Sequence, residues 1–256
     1  MKITALVQAR LNSKRLPKKV LLPLGGKTVL ECVVERVSKA KYIKEVVVVT
    51  SSEKSDDPIA KLCRHKKIKY FRGSLSDVLD RYYQASRSLG LENICRVTSD
   101  CPLIDPDIID IAAKKYLEGK YDYVGINRPL GQETYPDGFD AEFFSFKPLE
   151  KAWKEASLKS EREHVTTYMW KNPKKFKIFS VKSPINLSQY RLTLDEPKDY
   201  ELIKLIYEKV KPLQMTNIIS FLEGNKNILE MNKNIQKNIG YIKSLQEDRS
   251  IKKSHG

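Results

Sequence analysis

The 256-residue chain reads as an α/β protein with a mostly parallel sheet covered by helices on both faces. Two observations predict this class. Short β-rich apolar runs alternate with helix-period segments at the spacing of βαβ units. One of these runs, EVVVVTS at 45–51, is nearly continuous valine, as suits a strand buried on both faces.

The strands are expected at ITALVQ (3–8), EVVVVTS (45–51), IKYF (68–71), NICRVTSD (93–100) and YDYVGI (121–126). Between them, Thr28 to Lys39 places Val29, Cys32, Val33 and Val37 on one helical face, and Pro58 to Lys66 forms a second helix. A third runs from Asp77 to Leu89, with Ser76 as its cap and Gly90 as its stop. Beyond about residue 130, TYPDGFDAEFFSF (134–146) reads as a loop and then a strand. Helices follow at 147–157 and 161–171, strands at 176–181 and 190–194, and an amphipathic helix at 197–210 that opens on Pro197. Two more helical stretches, near 216–224 and 229–246, precede a frayed basic end, RSIKKSHG. The expected organisation is one domain, 1–212, with a helical extension of the same domain, 213–256. The apolar part of that extension is a candidate homodimer surface.

Composition narrows the class. With 41% hydrophobic and 31% charged residues the chain suits a water-soluble globular protein. No apolar run approaches the roughly 20 residues of a membrane-spanning helix. The start lacks the order of a signal peptide, so a cytoplasmic protein is expected. Cys32, Cys63, Cys95 and Cys101 form no CxxC pair and no zinc spacing with His65, His164 and His255, so free thiols are expected. The net charge of +15 is largely lysine, and no nucleic-acid-binding motif accompanies it. A basic RNA-binding module is therefore disfavoured, and no nucleic-acid or membrane partner is expected.

The first strand runs into QARLNSKRLPKK. Six of the first twenty residues are Lys or Arg and none is acidic. Ala9 and Arg10 open this loop, and Lys14, Arg15, Lys18 and Lys19 follow. Ligands of parallel sheets bind beyond the carboxyl ends of the strands, where loop amides and basic side chains can cradle phosphates. The loop is neither GxxxxGK[ST] nor GxGxxG. Two carboxylates answer it. Asp100, after Ser99 in VTSDCPLID, ends a strand, and Asp195 in LTLDEPKDY stands where a strand gives way to a helix. Each alone would cap a turn or a helix. Together with phosphate oxygens they suit Mg²⁺, which often takes only one or two protein carboxylates.

QARLNSKRLPKKVLLPLGGKTVLECVVERV, FRGSLSDVLDRYYQAS, RVTSDCPLID, YPDGFDAEFFS, SEREHVTTY and LTLDEPKDYELI together resemble the cytidylyltransferases that activate acidic sugars. The resemblance is to the spore-coat polysaccharide biosynthesis (SpsF) group, related to the synthetases of CMP-sialic acid and CMP-ketodeoxyoctonate. It implies a Rossmann-like α/β fold with a mixed, mostly parallel sheet of the glycosyltransferase-A and nucleotidyltransferase type. It also implies transfer of CMP from CTP to a sugar hydroxyl with release of pyrophosphate, for cell-surface polysaccharide synthesis. Arg10 and Lys19 fall on the family's triphosphate contacts, with Arg15 as a helper. Asp100 and Asp195 fall on its Mg²⁺ carboxylates, Asp100 being catalytic with Arg10 and Lys19. Ala9 and Ser99 join the nucleotide site.

The segment carrying Gly73, Ser74 and Arg81 is expected near the base, with Asp77–Arg81 as an ordinary i,i+4 pair in the blander reading. Tyr135, Asp137, Gly138 and Asp140, with Arg162, Glu163 and His164, resemble the acceptor side. There Arg162 could pair with a sugar carboxylate and His164 could accept a proton. Ser160 to Glu163 also fits a capping box. The sequence departs from the wider family at Gln8, often Pro there, and at Asn12 and Lys18, often Gly, which bears on how closely the backbone can approach a phosphate. A glycosyltransferase, or a nucleotidyltransferase for another base, is the alternative. The RLPKK loop favours nucleotidyl transfer, and neither PDIID (106–110) nor Asp56–Asp57 is a convincing DxD.

Overall fold

A computed structural model describes residues 2–254. In chain order the elements are β1 (Ile3–Gln8), the hairpin β2 (Pro23–Leu24) and β3 (Lys27–Thr28), α1 (Val29–Ser38), β4 (Ile43–Ser51), α2 (Asp57–His65), β5 (Lys69–Gly73), α3 (Val78–Ser88) and β6 (Asn93–Thr98). There follow α4 (Pro106–Leu117), β7 (Tyr123–Ile126), β8 (Glu142–Ser145), α5 (Phe146–Glu155), α6 (Lys159–Glu163), α7 (Thr167–Lys171) and β9 (Ile178–Val181). The chain ends with α8 (Pro197–Lys209), α9 (Met215–Gly224), α10 (Lys226–Leu229) and α11 (Ile239–Ser254).

Seven strands form one sheet in the order β5-β4-β1-β6-β8-β7-β9. All pairings are parallel except those of β8, which runs antiparallel to β6 and β7. The expected mixed, mostly parallel sheet is thus present. Side chains alternate along β1: Ile3, Ala5 and Val7 enter a core with α1, α2, α4, α8 and α9, while Leu6 enters a second core with α3, α5 and α7. α1 starts where the sequence indicates. Thr28 accepts a hydrogen bond from the Glu31 amide at 3.3 Å, and the Glu31 carboxylate accepts the Thr28 amide at 2.8 Å.

Several expectations need correction. The 190–194 stretch is not a strand; it makes a single bridge, Asp137 to Arg191. Its backbone groups serve loops: Leu192 N–H donates to Asp137 O at 2.7 Å and Leu194 N–H to Asp100 O at 2.8 Å. The helix expected at 161–171 is two short helices, separated at Val165, whose φ is +57°. Asp77, rather than Ser76, caps α3 through the Asp80 amide at 2.8 Å. α6 is entered through Leu158, with Glu161 accepting the Ser157 and Leu158 amides, so no box forms from Ser160 to Glu163. α4 was not anticipated. Pro106 opens it and the Asp105 carboxylate caps it.

Ile218, Ile219 and Leu222 of α9 lie in the first core, so the apolar residues of the early extension are spent within this chain. The helix in the basic end RSIKKSHG continues to Ser254, and residues 255–256, His255 included, lie outside the described residues. Among the described residues no helix is long and apolar enough to cross a membrane. The four cysteines are unpaired and buried.

Candidate active site

The loops after β1 and β6 border a cavity of about 690 Å³ beyond the carboxyl ends of the central strands. Ten cationic and seven anionic side chains line it. Such an excess favours an anionic ligand.

The basic loop is anchored from below. Asp56, fully buried, accepts the Leu11 amide at 2.7 Å and also binds the Ser51 amide and hydroxyl. Lys18 closes the loop, donating its amide to Leu11 O at 3.2 Å. Its φ is +56°, so Lys18 takes the left-handed conformation that glycine adopts freely. Where the resemblance expects Gly, the backbone shape is kept by a lysine. Gln8, where the family often has Pro, accepts a hydrogen bond from Arg96 at 3.2 Å.

The loop's last lysine meets the two predicted carboxylates. Lys19 Nζ donates to Asp100 Oδ2, Asp195 Oδ1 and Leu194 O, each at 2.8 Å. All three ammonium donors are thereby used. Burial would raise the Asp100 carboxyl, but the charge and hydrogen bond of Lys19 overcome it and hold the group at about 2. Burial disfavours the Lys19 ammonium, yet the two aspartates raise it above the ordinary lysine value. Arg15 lies 3.1 Å from Asp195 and 3.1 Å from Glu196. Arg10 is half exposed, with Glu163 at 3.7 Å as its one ion pair among the described residues. Ala9 and Ser99 line the cavity, their amides donating to Val49 O and Gln8 O.

Behind Asp195 stands a buried ionic lattice that sequence reasoning missed. Arg191 binds Asp199 through two bonds of 2.9 Å and reaches Asp195 at 3.3 Å and Asp137 at 3.4 Å. Asp199 also accepts the Asp195 and Glu196 amides, both at 2.9 Å. The spacing of DEPKD, an acid three residues after Glu196, was the available signal for this cap. A second lattice forms the floor. Arg96 pairs with Glu142, which also accepts from Tyr123 at 2.6 Å and from Thr166. Arg128 pairs with Asp140 at 3.3 Å.

Asp137 lines the same cavity. Burial, then the nearby Asp140, push its carboxyl up to about 7 despite Arg191. Burial lowers the His164 imidazole to about 4, and Arg96, Arg128 and Arg10 reinforce this. His164 is therefore neutral at pH 7. Tyr135 lines a smaller adjoining cavity of about 270 Å³ that shares Arg128, Asp137 and Asp140 with the large one. Gly138, at φ +104°, permits this arrangement: a Cβ there would meet the Leu192 carbonyl at 2.6 Å.

Other predicted site residues lie elsewhere. Arg162 does not line either cavity; it binds Asp77 (2.9 Å from Nε) and Trp153 O at 2.7 Å, tying α6 to the start of α3. It is a structural link, so the acceptor-carboxylate expectation does not hold for it. Gly73 and Ser74 are also outside the lining. Gly73 ends β5, and a Cβ on it would press on Arg81 at 3.0 Å. Ser74 supplies its carbonyl to Arg81 at 2.7 Å and its hydroxyl to the Asp77 amide at 3.0 Å. Arg81 does line the cavity. Its guanidinium is held by Ser74 and Leu75 carbonyls rather than by Asp77.

This geometry, a basic loop and two carboxylates at the carboxyl ends of a mostly parallel sheet, defines a nucleotide-binding α/β enzyme of the nucleotidyltransferase class. A cytidylyltransferase family model matches residues 4–238. The spore coat polysaccharide biosynthesis protein SpsF of Bacillus subtilis is 32% identical over 235 residues, which cover 87% of this chain and 95% of that one. A 3-deoxy-manno-octulosonate cytidylyltransferase of Geobacter sulfurreducens is 36% identical over 114 residues, 44% of each chain. The solved structure of a cytidylyltransferase from Leptospira borgpetersenii superimposes with a TM-score of 0.84 at 34% identity, covering 92% of this chain and 99% of that one. The chain belongs to the cytidylyltransferase family and is a nucleotidyltransferase.

Proposed function

We propose that the protein transfers CMP from CTP to a hydroxyl of an acidic sugar of the ulosonic or nonulosonic type, releasing pyrophosphate. The observation that carries this reading is the convergence of Asp100 and Asp195 on one cation, Lys19 Nζ, beside the basic loop. The cavity's size suits a nucleotide with a sugar beside it. The acidic-sugar acceptor is supported by the relative that acts on 3-deoxy-manno-octulosonate, and a role in cell-surface polysaccharide synthesis by the spore-coat relative. The free, buried thiols accord with a cytoplasmic setting.

In this reaction the acceptor oxygen attacks the α-phosphorus in line. A P–O bond forms to the sugar as the bond to pyrophosphate breaks, and the proton of the sugar hydroxyl is released to solvent. Arg10, Lys14, Arg15 and Lys19 face the growing charge on the leaving group, and fixed cations stabilise it without reorganising water. Mg²⁺ fits the donor set, because two carboxylate oxygens already converge on a single cation. Bound by Asp100 and Asp195, it would supply charge neutralisation and polarise the α-phosphoryl group. Thermal shift tests the nucleotide end, with CTP, UTP, ATP and GTP each in Mg²⁺ and in EDTA. Selective, Mg²⁺-dependent stabilisation by CTP is expected, followed by pyrophosphate release with a sugar acid. Equal shifts for all four nucleotides would sink the CTP assignment.

A further inference from the structure

One wall of the cavity comes from α11, through Tyr241, Lys243, Ser244 and Glu247. The helix is tied to α6 and its exit: Asp248 accepts the Ser160 amide at 3.1 Å, Glu247 pairs with Lys159, and Tyr241 meets the His164 ring edge-on at 5.2 Å. α11 begins at residue 239, just past the 4–238 span of the family model. Lys19, Asp100 and Asp195 thus come from the shared part and this wall from outside it. The chemistry is divided as well. The loop after β1 is purely basic, whereas this wall mixes Glu163 and Glu247 with Lys159, Lys243, His164 and Ser244. The wall's carboxylates accept hydrogen bonds from sugar hydroxyls, and Lys243 offers a cation to the acceptor's own carboxylate.

We propose that α11 is the acceptor-recognition wall and that Ser244 is a positioning residue fixing Glu163 and His164 toward a polyhydroxylated acceptor. The proposal rests on the reading of this cavity as the site of CMP transfer. Ser244 Oγ lies 2.8 Å from Glu163 Oε2, 3.1 Å from Gly240 O and 3.2 Å from His164 Nε2. A hydroxyl has one proton, and a carboxylate is its strongest acceptor here. Donating to Glu163, the Ser244 oxygen receives Nε2–H from His164. That selects one imidazole tautomer and leaves Nδ1 as an acceptor. Removing the hydroxyl frees both partners at once.

Nitrogen-15 NMR reads the tautomer directly, because the chain has only three histidines and His164→Gln assigns the signal. The wild-type protein should show His164 protonated at Nε2. Ser244→Ala should mix the tautomers and Ser244→Thr should restore the single form. In turnover with CTP and 3-deoxy-manno-octulosonate or N-acetylneuraminate, Ser244→Ala should raise the acceptor KM about five- to tenfold, the effect of one hydrogen bond. The KM for CTP should change by less than about twofold, and Ser244→Thr should recover the acceptor KM. A wild-type Nδ1–H tautomer, or a His164 signal indifferent to Ser244→Ala, overturns the positioning role. An equal rise in both KM values overturns the acceptor assignment. If neither sugar acid reacts while CTP still stabilises the protein, the acidic-sugar part of the functional reading fails. The NMR result then decides the role of Ser244 alone.

Discussion

Arg191 and Asp199 face each other across two hydrogen bonds of 2.9 Å, and the same carboxylate accepts the amides of Asp195 and Glu196. Asp199 is fully buried and Arg191 nearly so. Asp199 therefore sets the position of Asp195 from behind the cavity wall, while Arg191 lines the cavity. Asp199→Asn keeps the shape but leaves a buried guanidinium short of its counter-charge. Breaking one half of such a pair costs about 3 kcal/mol. Urea denaturation should show that loss, and CTP affinity should fall with it as Asp195 loosens. Arg191→Met added to Asp199→Asn should recover part of the stability but not the CTP affinity. A single Asp199→Asn variant as stable as wild type would mean that Arg191 is held elsewhere.

Lys19 occupies the point on which Asp100 and Asp195 converge. Lys19→Ala leaves two carboxylates facing each other and should destabilise the protein by about 2 kcal/mol, less than a fully buried pair because both aspartates are partly exposed. Mg²⁺ should then raise the melting temperature of this variant more than that of wild type, since the metal no longer competes with an ammonium. Equal responses to Mg²⁺ would argue against these carboxylates as the metal site. The Asp100 carboxyl, held below its unfolded value, contributes stability that is complete above about pH 4. It is lost as the pH falls through about 2.

Two groups in the cavity have opposed pH dependences. Asp137 titrates near 7 when folded, well above an unfolded aspartate, so its contribution weakens stability as pH rises from about 4 to about 7. His164, lowered to about 4, has the reverse sign: stability falls as pH drops from about 6.5 to about 4, where only the unfolded state takes the proton. The two offset one another in wild type. Relative to wild type, Asp137→Asn should gain stability steadily from pH 4 to 7. His164→Gln should gain as the pH falls from 6.5 to 4. Melting temperatures across this range check both slopes; parallel curves for all three proteins would contradict the assignment.

The strands of the first half were legible because burial on both faces demands apolar runs, and ITALVQ and EVVVVTS are mostly apolar and β-branched. The loop from Ala9 to Lys19 and the carboxylates Asp100 and Asp195 were legible as a pattern of charge at strand ends. What local pattern could not supply is a partner. YRLTL looks like a strand, yet its amides and carbonyls serve the loops at Asp100, Asp137 and Lys19. Arg162 looks like a substrate arginine until Asp77, 85 positions away, claims it. Asp56, Arg191 and Ser244 had no distinguishing neighbours in sequence, and their roles arise only when distant loops meet. Arg96 and Arg128 were hidden for the same reason, each defined by a carboxylate on the segment from Asp140 to Glu142.

Lys18 offers a sharper test of how the loop is shaped. At φ +56° its Cβ crowds the backbone, and a lysine tolerates this at a cost of about 1 kcal/mol. Lys18→Gly removes that cost but adds freedom to the unfolded chain, worth about 0.4–1 kcal/mol in the opposite direction. The net change should stay within about 0.5 kcal/mol, with the loop intact. Lys18→Val places a β-branched residue in the same conformation and should lose about 1–2 kcal/mol. Because Lys18 closes onto Leu11 and leads directly into Lys19, the valine variant should also weaken CTP binding. Lys18→Gln separates shape from charge: it keeps an unbranched side chain and removes only the cation. If the loop geometry governs binding, glutamine should bind CTP better than valine although both are neutral. Equal CTP affinities for the two would assign the effect of Lys18 to its charge alone.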